Sequence, residues 1–143
     1  MSTNLSIFFS SKRKDWPTPW ELFRHWDDLQ GPFELDVCAF PHNAKCPTFY
    51  TPEQDGLSMP WRGVCWCNPP YGKEVGQWLK KAVGEVKSGR AQRVVFLLPA
   101  RTDTAWWHDY VLPYGEIHFL RGRVTFEGAV HPAPFASVIV VFQ

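Results

Sequence analysis

An excess of charge of either sign is nearly absent from this sequence. Its 15 Lys plus Arg stand against 14 Asp plus Glu, a formal net charge of +1. That balance excludes a strongly basic polyanion-coating protein, so any contact with nucleic acid has to rest on a local basic rim. Long hydrophobic runs are absent as well: residues 94–98 and 138–142 are strand-sized, far short of the roughly 20 apolar residues of a membrane span. No signal-peptide pattern is present, because the apolar patch at 5–9 is short and Lys12, Arg13 and Lys14 follow it. The expectation is a soluble protein that stays in the cytoplasm, with its 4 cysteines as reduced thiols. No repeat, low-complexity tract or Gly/Ser linker divides the chain. What is plentiful is aromatic: 8 Trp, 11 Phe and 4 Tyr, so either the core is aromatic or some surface stacks flat ligands.

At 143 residues one domain is expected. Residues 1–14 lack a sustained period and read as a flexible N-terminal arm, leaving 15–143 as the folded domain. A helix is expected from Pro19, with Thr18 as N-cap, Glu21 completing a capping box, and Trp20, Phe23, Trp26 and Leu29 on its apolar side. Short strands are expected at 33–39 and 63–67, the second stopped by Asn68, Pro69 and Pro70. Helical spacing returns over 73–87, with Val75, Trp78, Leu79, Ala82, Val83 and Val86 inward and Glu85 outward. Strands at 93–99, 116–120 and 137–142 and a short helix at 104–111 complete the pattern. Strands alternating with helices point to an α/β domain with a mostly parallel sheet, whose ligands bind at the carboxyl ends of strands. Asp36 and Asn68 both fall near such ends.

Asn68-Pro69-Pro70-Tyr71 is the sharpest feature. Its parts suit the handling of a flat amide-like or amino-heterocyclic group. The Asn68 side-chain oxygen can accept one hydrogen of an exocyclic amine and the Pro69 carbonyl the other, while restricted proline φ angles hold that carbonyl in place. Tyr71 offers a face for base stacking, an interaction of roughly 1–3 kcal/mol.

Beyond this motif, the ordered series DWPTPWELF, LDVCA with the following Asn43-Ala44-Lys45-Cys46, CNPPYG, LLPARTDTAWW and FLRGRVTF resembles the phage-type DNA N-6-adenine methyltransferases. The resemblance runs from about Asp15 to Phe142. It implies a Rossmann-like methyltransferase fold, S-adenosyl-L-methionine as cofactor, DNA as partner and methyl transfer to the exocyclic N6 of adenine, in a phage or its bacterial host. It further implies that Asn68 and Pro69 bind the target amine, Pro70 shapes the loop and Tyr71 stacks on the adenine. No general acid is needed, because the amine attacks the sulfonium methyl directly. Asp36, Cys38 and Ala39 would belong to the cofactor site, Asp55 would contact the cofactor adenine, and Trp16, Pro17, Thr18 and Pro19 would line the methionine end. Arg101 and Arg123 are candidate phosphate contacts, with Trp106 or Trp107 near the extruded base. The sequence departs from many methyltransferases in having no Gly-x-Gly after Asp36.

Two other readings stand beside this one. NPPY chemistry by itself also accommodates RNA or a protein side-chain amide as methyl acceptor. Cys38, His42 and Cys46, with Cys65 and Cys67, outline a zinc-stabilised nucleic-acid-binding module, although neither cysteine pair has the two-residue knuckle spacing of zinc modules. Whether the chain acts as a homodimer is left open.

Overall fold

The computed structural model describes residues 15–143, so the arm expected over 1–14 lies outside the described residues. Three neighbouring parallel strands come from largely buried segments. They are β1 (Leu35–Asp36), β3 (Gly63–Cys67) and β4 (Ala91–Pro99), with β2 (Thr48–Phe49) on the outer side of β1. The sheet order is β2-β1-β3-β4-β6-β5, where β5 is Glu116–Phe119 and β6 is Ser137–Phe142. β6 runs antiparallel to both β4 and β5, and the remaining pairings are parallel. This mixed, mostly parallel sheet is that of a Rossmann-like methyltransferase fold.

Period-two alternation divides the core between the two faces of the sheet. Cys65, Cys67, Val94, Phe96, Leu98, Val138 and Val140 face α2 (Val75–Lys87), which buries Val75, Trp78, Leu79, Ala82 and Val83 against them. Val64, Trp66, Val95, Leu97, Ile139 and Val141 face the other way and pack with Phe23 and Trp26 of α1 (Trp20–Gln30). Burial on both faces is what makes β4 and β6 read as unbroken apolar runs.

Several local expectations are corrected by tertiary contacts. α1 carries no side-chain cap; Phe23 N donates to the Pro19 carbonyl at 3.1 Å, and the Thr18 hydroxyl is engaged elsewhere. Trp20 and Leu29 are 39% and 59% exposed instead of core. The Trp20 ring is covered by cations, Lys45 Nζ at 4.3 Å and the Arg24 guanidinium at 5.6 Å from its centroid. β1 is shorter than residues 33–39: Glu34 N and Val37 N still donate to the Val64 and Trp66 carbonyls, but the chain bends at 37–38, where Asp36 Oδ1 accepts the Cys38 N–H at 3.3 Å. Glu85 points inward: it accepts from Lys81 Nζ at 3.0 Å, Arg90 Nε at 2.8 Å and the buried Trp61 N at 3.3 Å. The helix expected at 104–111 is present and longer, helical over 105–114, with Trp107–Val111 wound as a π-helical turn that runs into α3 (Leu112–Tyr114). Among the described residues no helix is long and apolar enough to cross a membrane.

Candidate active site

Parallel pairing of β1 with β3 sets Asp36 beside Trp66, so the loops that leave the two strands emerge side by side. Between them and the segment before α1 lies a cavity of about 310 Å³, within the range of small-ligand sites, about 300–1,000 Å³. Asn68, Pro69 and Pro70 form one wall, and Asp36, Cys38, Ala39 and Asp55 another. Trp16, Pro17 and Thr18 close a third side. Pro19 stands outside the lining, at the start of α1.

Asn68 has a defined orientation. Its Nδ2 donates to the Trp16 carbonyl and, at 3.0 Å, to Thr18 Oγ1. A carbonyl can only accept, so the amide cannot be flipped without losing that bond. Both hydrogens of Nδ2 are thereby used. Oδ1 is left buried with no hydrogen-bond partner among the described residues. An orphaned buried acceptor is costly in a finished core and informative beside a cavity, because a ligand N–H satisfies it.

Asp36 sits 3% exposed, accepting from Cys38 N through Oδ1 at 3.3 Å and from Lys45 N through Oδ2 at 3.0 Å. Burial pushes its carboxyl up to about 6, partly countered by these two bonds and by the Lys45 charge. A ligand that brings hydroxyl donors or positive charge would relieve that desolvation. Lys45 is itself buried, and burial pulls its ammonium down while Glu127, 3.7 Å away, holds it up. Asp55 adopts a left-handed φ of 56° and accepts the Leu57 N–H at 3.2 Å, capping a 3-10 turn at Gly56–Ser58. It is thus both a turn-former and a lining residue.

The other expected residues lie off the cavity. Tyr71 is 2% exposed, donates its hydroxyl to the Leu97 carbonyl at 3.1 Å, and meets Phe126 and Phe135 edge-on at 6.4 and 5.8 Å. As placed, its ring has no open face, and stacking on a base needs the Phe126 and Phe135 cover to shift. Arg101 lies 5.8 Å over the Phe135 ring. Trp107 is in the core on the α2 side and Trp106 packs against the same cluster. Arg123 is exposed, on the connection between β5 and β6. The zinc reading fails on geometry: among the described residues no three His, Cys, Asp or Glu side chains converge on a metal position. Cys46 packs on the α1 face of the sheet, and Cys65 and Cys67 pack on the α2 face.

The cavity also takes in Phe40, Asn43, Lys45, Tyr50, Thr51, Glu74 and Trp78, which the sequence reading did not assign to it. Tyr50 and Thr51 directly follow β2, a strand too short to show a period. Trp78 reads as core by helical spacing and is both core and wall.

The chain matches the family described as DNA N-6-adenine-methyltransferase (Dam) over residues 6–138. It is 34% identical over 123 residues to a DNA N-6-adenine-methyltransferase of Haemophilus phage HP1 (strain HP1c1), covering 82% of this chain and 70% of that protein. A second DNA N-6-adenine-methyltransferase, from Escherichia phage T1, is 30% identical over 112 residues, 77% of this chain and 46% of that protein. With the NPPY segment at the carboxyl end of β3 and a ligand-sized cavity against it, the chain belongs to the DNA N-6-adenine-methyltransferase (Dam) family.

Proposed function

We propose that the chain methylates the exocyclic N6 of adenine in DNA, using the cavity between β1 and β3 for S-adenosylmethionine and the Asn68-Pro69 edge for the target amine. The observation that carries the assignment of the site is the buried, unpartnered Asn68 Oδ1 at the cavity wall. Family membership implies S-adenosylmethionine as the methyl donor. When bound, it supplies an electrophilic methyl group.

Asn68 Oδ1 accepts one N–H of the adenine amine and the Pro69 carbonyl accepts the other. The two acceptors leave the nitrogen lone pair free for attack and stabilise the positive charge that develops on nitrogen. Pro70, with its fixed φ, keeps the Pro69 carbonyl in place. Asp36, Cys38, Ala39 and Asp55 hold the cofactor, with Trp16, Pro17 and Thr18 at the wall nearest Asn68. Because the base has to leave its stack, Arg101 and Arg123 serve as phosphate contacts, while Trp106 and Trp107, packed in the core on the α2 side, have no direct part in holding it.

The test is transfer of labelled methyl from S-adenosylmethionine to adenine-containing DNA, adenine-free DNA and RNA. Only the first should be labelled, and Asn68→Ala should lower turnover at least about 100-fold, the scale of losing a preorganised charge-stabilising contact. Equal labelling of adenine-free DNA defeats the acceptor assignment; an Asn68→Ala chain with full turnover defeats the site.

A further inference from the structure

We infer that Thr18 is a positioning residue for Asn68: its hydroxyl accepts from Asn68 Nδ2 and so keeps Oδ1 turned toward the incoming amine. The inference rests on the amine-binding role proposed for Asn68.

The sequence around Thr18 is built to hold it still. In Trp16-Pro17-Thr18-Pro19 each residue before a proline is confined to extended backbone, and each proline fixes its own φ. The observed Pro19 φ of −63° and ψ of 139° continue that extended path up to α1. Pro17 is tied down by Glu127 N, which donates to its carbonyl at 3.0 Å. Trp16 is clamped edge-on by Phe126 at 5.2 Å and Phe135 at 5.1 Å, and is 4% exposed. The result is a rigid extended tetrapeptide that presents two acceptors on one side, the Trp16 carbonyl and Thr18 Oγ1. Both are spent on one amide group.

Two acceptors are needed for a reason of chemistry. With the Trp16 carbonyl alone, the amide keeps its bond while rotating about the side-chain torsions, and Oδ1 can leave the amine's path. A second acceptor fixes the amide plane. Thr18 borders the cavity but is only 3% exposed, so its hydroxyl is largely shielded from bulk water. The same burial explains why it is absent as a helix cap: its oxygen faces Asn68 and not the first turn of α1.

The experiment compares Thr18→Val, which keeps the shape and removes the acceptor, with Thr18→Ser, which keeps the acceptor. Thr18→Val should lower kcat roughly 10-fold, the scale of one hydrogen bond, with the KM for S-adenosylmethionine changed less than about threefold. Thr18→Ser should return kcat to within about threefold of the parent. Adding Thr18→Val to Asn68→Ala should cost nothing further, because the residue acts through Asn68. A cofactor-free readout is the Asn68 side-chain amide pair in nitrogen-proton NMR, assigned by its loss in Asn68→Ala. Exchange of its protons with water should speed up in Thr18→Val and not in Thr18→Ser.

An unchanged kcat overturns the inference, as does a loss shared by Thr18→Ser, a loss confined to cofactor KM, or an undiminished loss on the Asn68→Ala background. If Thr18→Val does not fold by thermal melting, Thr18→Ala carries the same comparison. Failure of the underlying reading looks different: the parent would then not label adenine, or Asn68→Ala would retain full turnover.

Discussion

Asp36→Asn should remove part of the chain's pH-dependent stability. The carboxyl is 3% exposed, and burial raises it from an ordinary 3.8 to about 6. Between those values the folded chain binds more protons at this site than the unfolded chain, so stability falls as pH rises. The cost is absent below 3.8 and complete above about 6. At about 1.4 kcal/mol per pH unit it reaches roughly 3 kcal/mol near neutrality. Asparagine removes the ionisation, but it also sets an amide nitrogen against one of the two N–H donors, Cys38 or Lys45, that the carboxylate accepts. That mismatch costs about 1–3 kcal/mol. At neutral pH the two effects nearly cancel and the variant should be about as stable as the parent. In acid only the mismatch remains, so the parent should be the more stable chain. Urea unfolding of the cofactor-free protein at steps from about pH 4 to 8 gives the difference between the two curves, which should change by roughly 3 kcal/mol. A difference that stays flat within about 0.5 kcal/mol refutes the claim that Asp36 is held in a desolvated site.

Two further outcomes follow from buried contacts. Glu85→Ala should cost about 2 kcal/mol in urea unfolding, chiefly by stranding the buried Trp61 N–H, since Lys81 and Arg90 can rehydrate. Gly56→Ala puts a Cβ 2.1 Å from the Val37 carbonyl oxygen and 3.1 Å from the Trp78 ring. It should lower stability by about 1–3 kcal/mol and raise the KM for S-adenosylmethionine more than that for DNA, read from a thermal melt and initial rates.

What could be read in the sequence was periodic or terminal. β3 and β6 fall on the expected residues, and α2 follows its apolar spacing, because a strand buried on both faces and an amphipathic helix each leave a local repeat. NPPY was placed correctly because consecutive prolines end a strand wherever they stand. Asp36, Cys38, Ala39 and Asp55 line the cavity, since the loops after parallel strands share one edge of the sheet. β2 went unread because two residues carry no period.

The tertiary structure alone decided how these parts are used. Thr18 looked like a helix cap because capping is a local pattern, yet its partner is Asn68, 50 residues away. Tyr71 looked like an open stacking face until Phe126 and Phe135, far along the chain, covered it. Trp20 fitted an apolar stripe but took two cations over its ring, and Glu85 fitted a solvated face but took three donors inward. In each case the sequence determined the residue's chemistry, and long-range packing selected which of its possible partners was within reach.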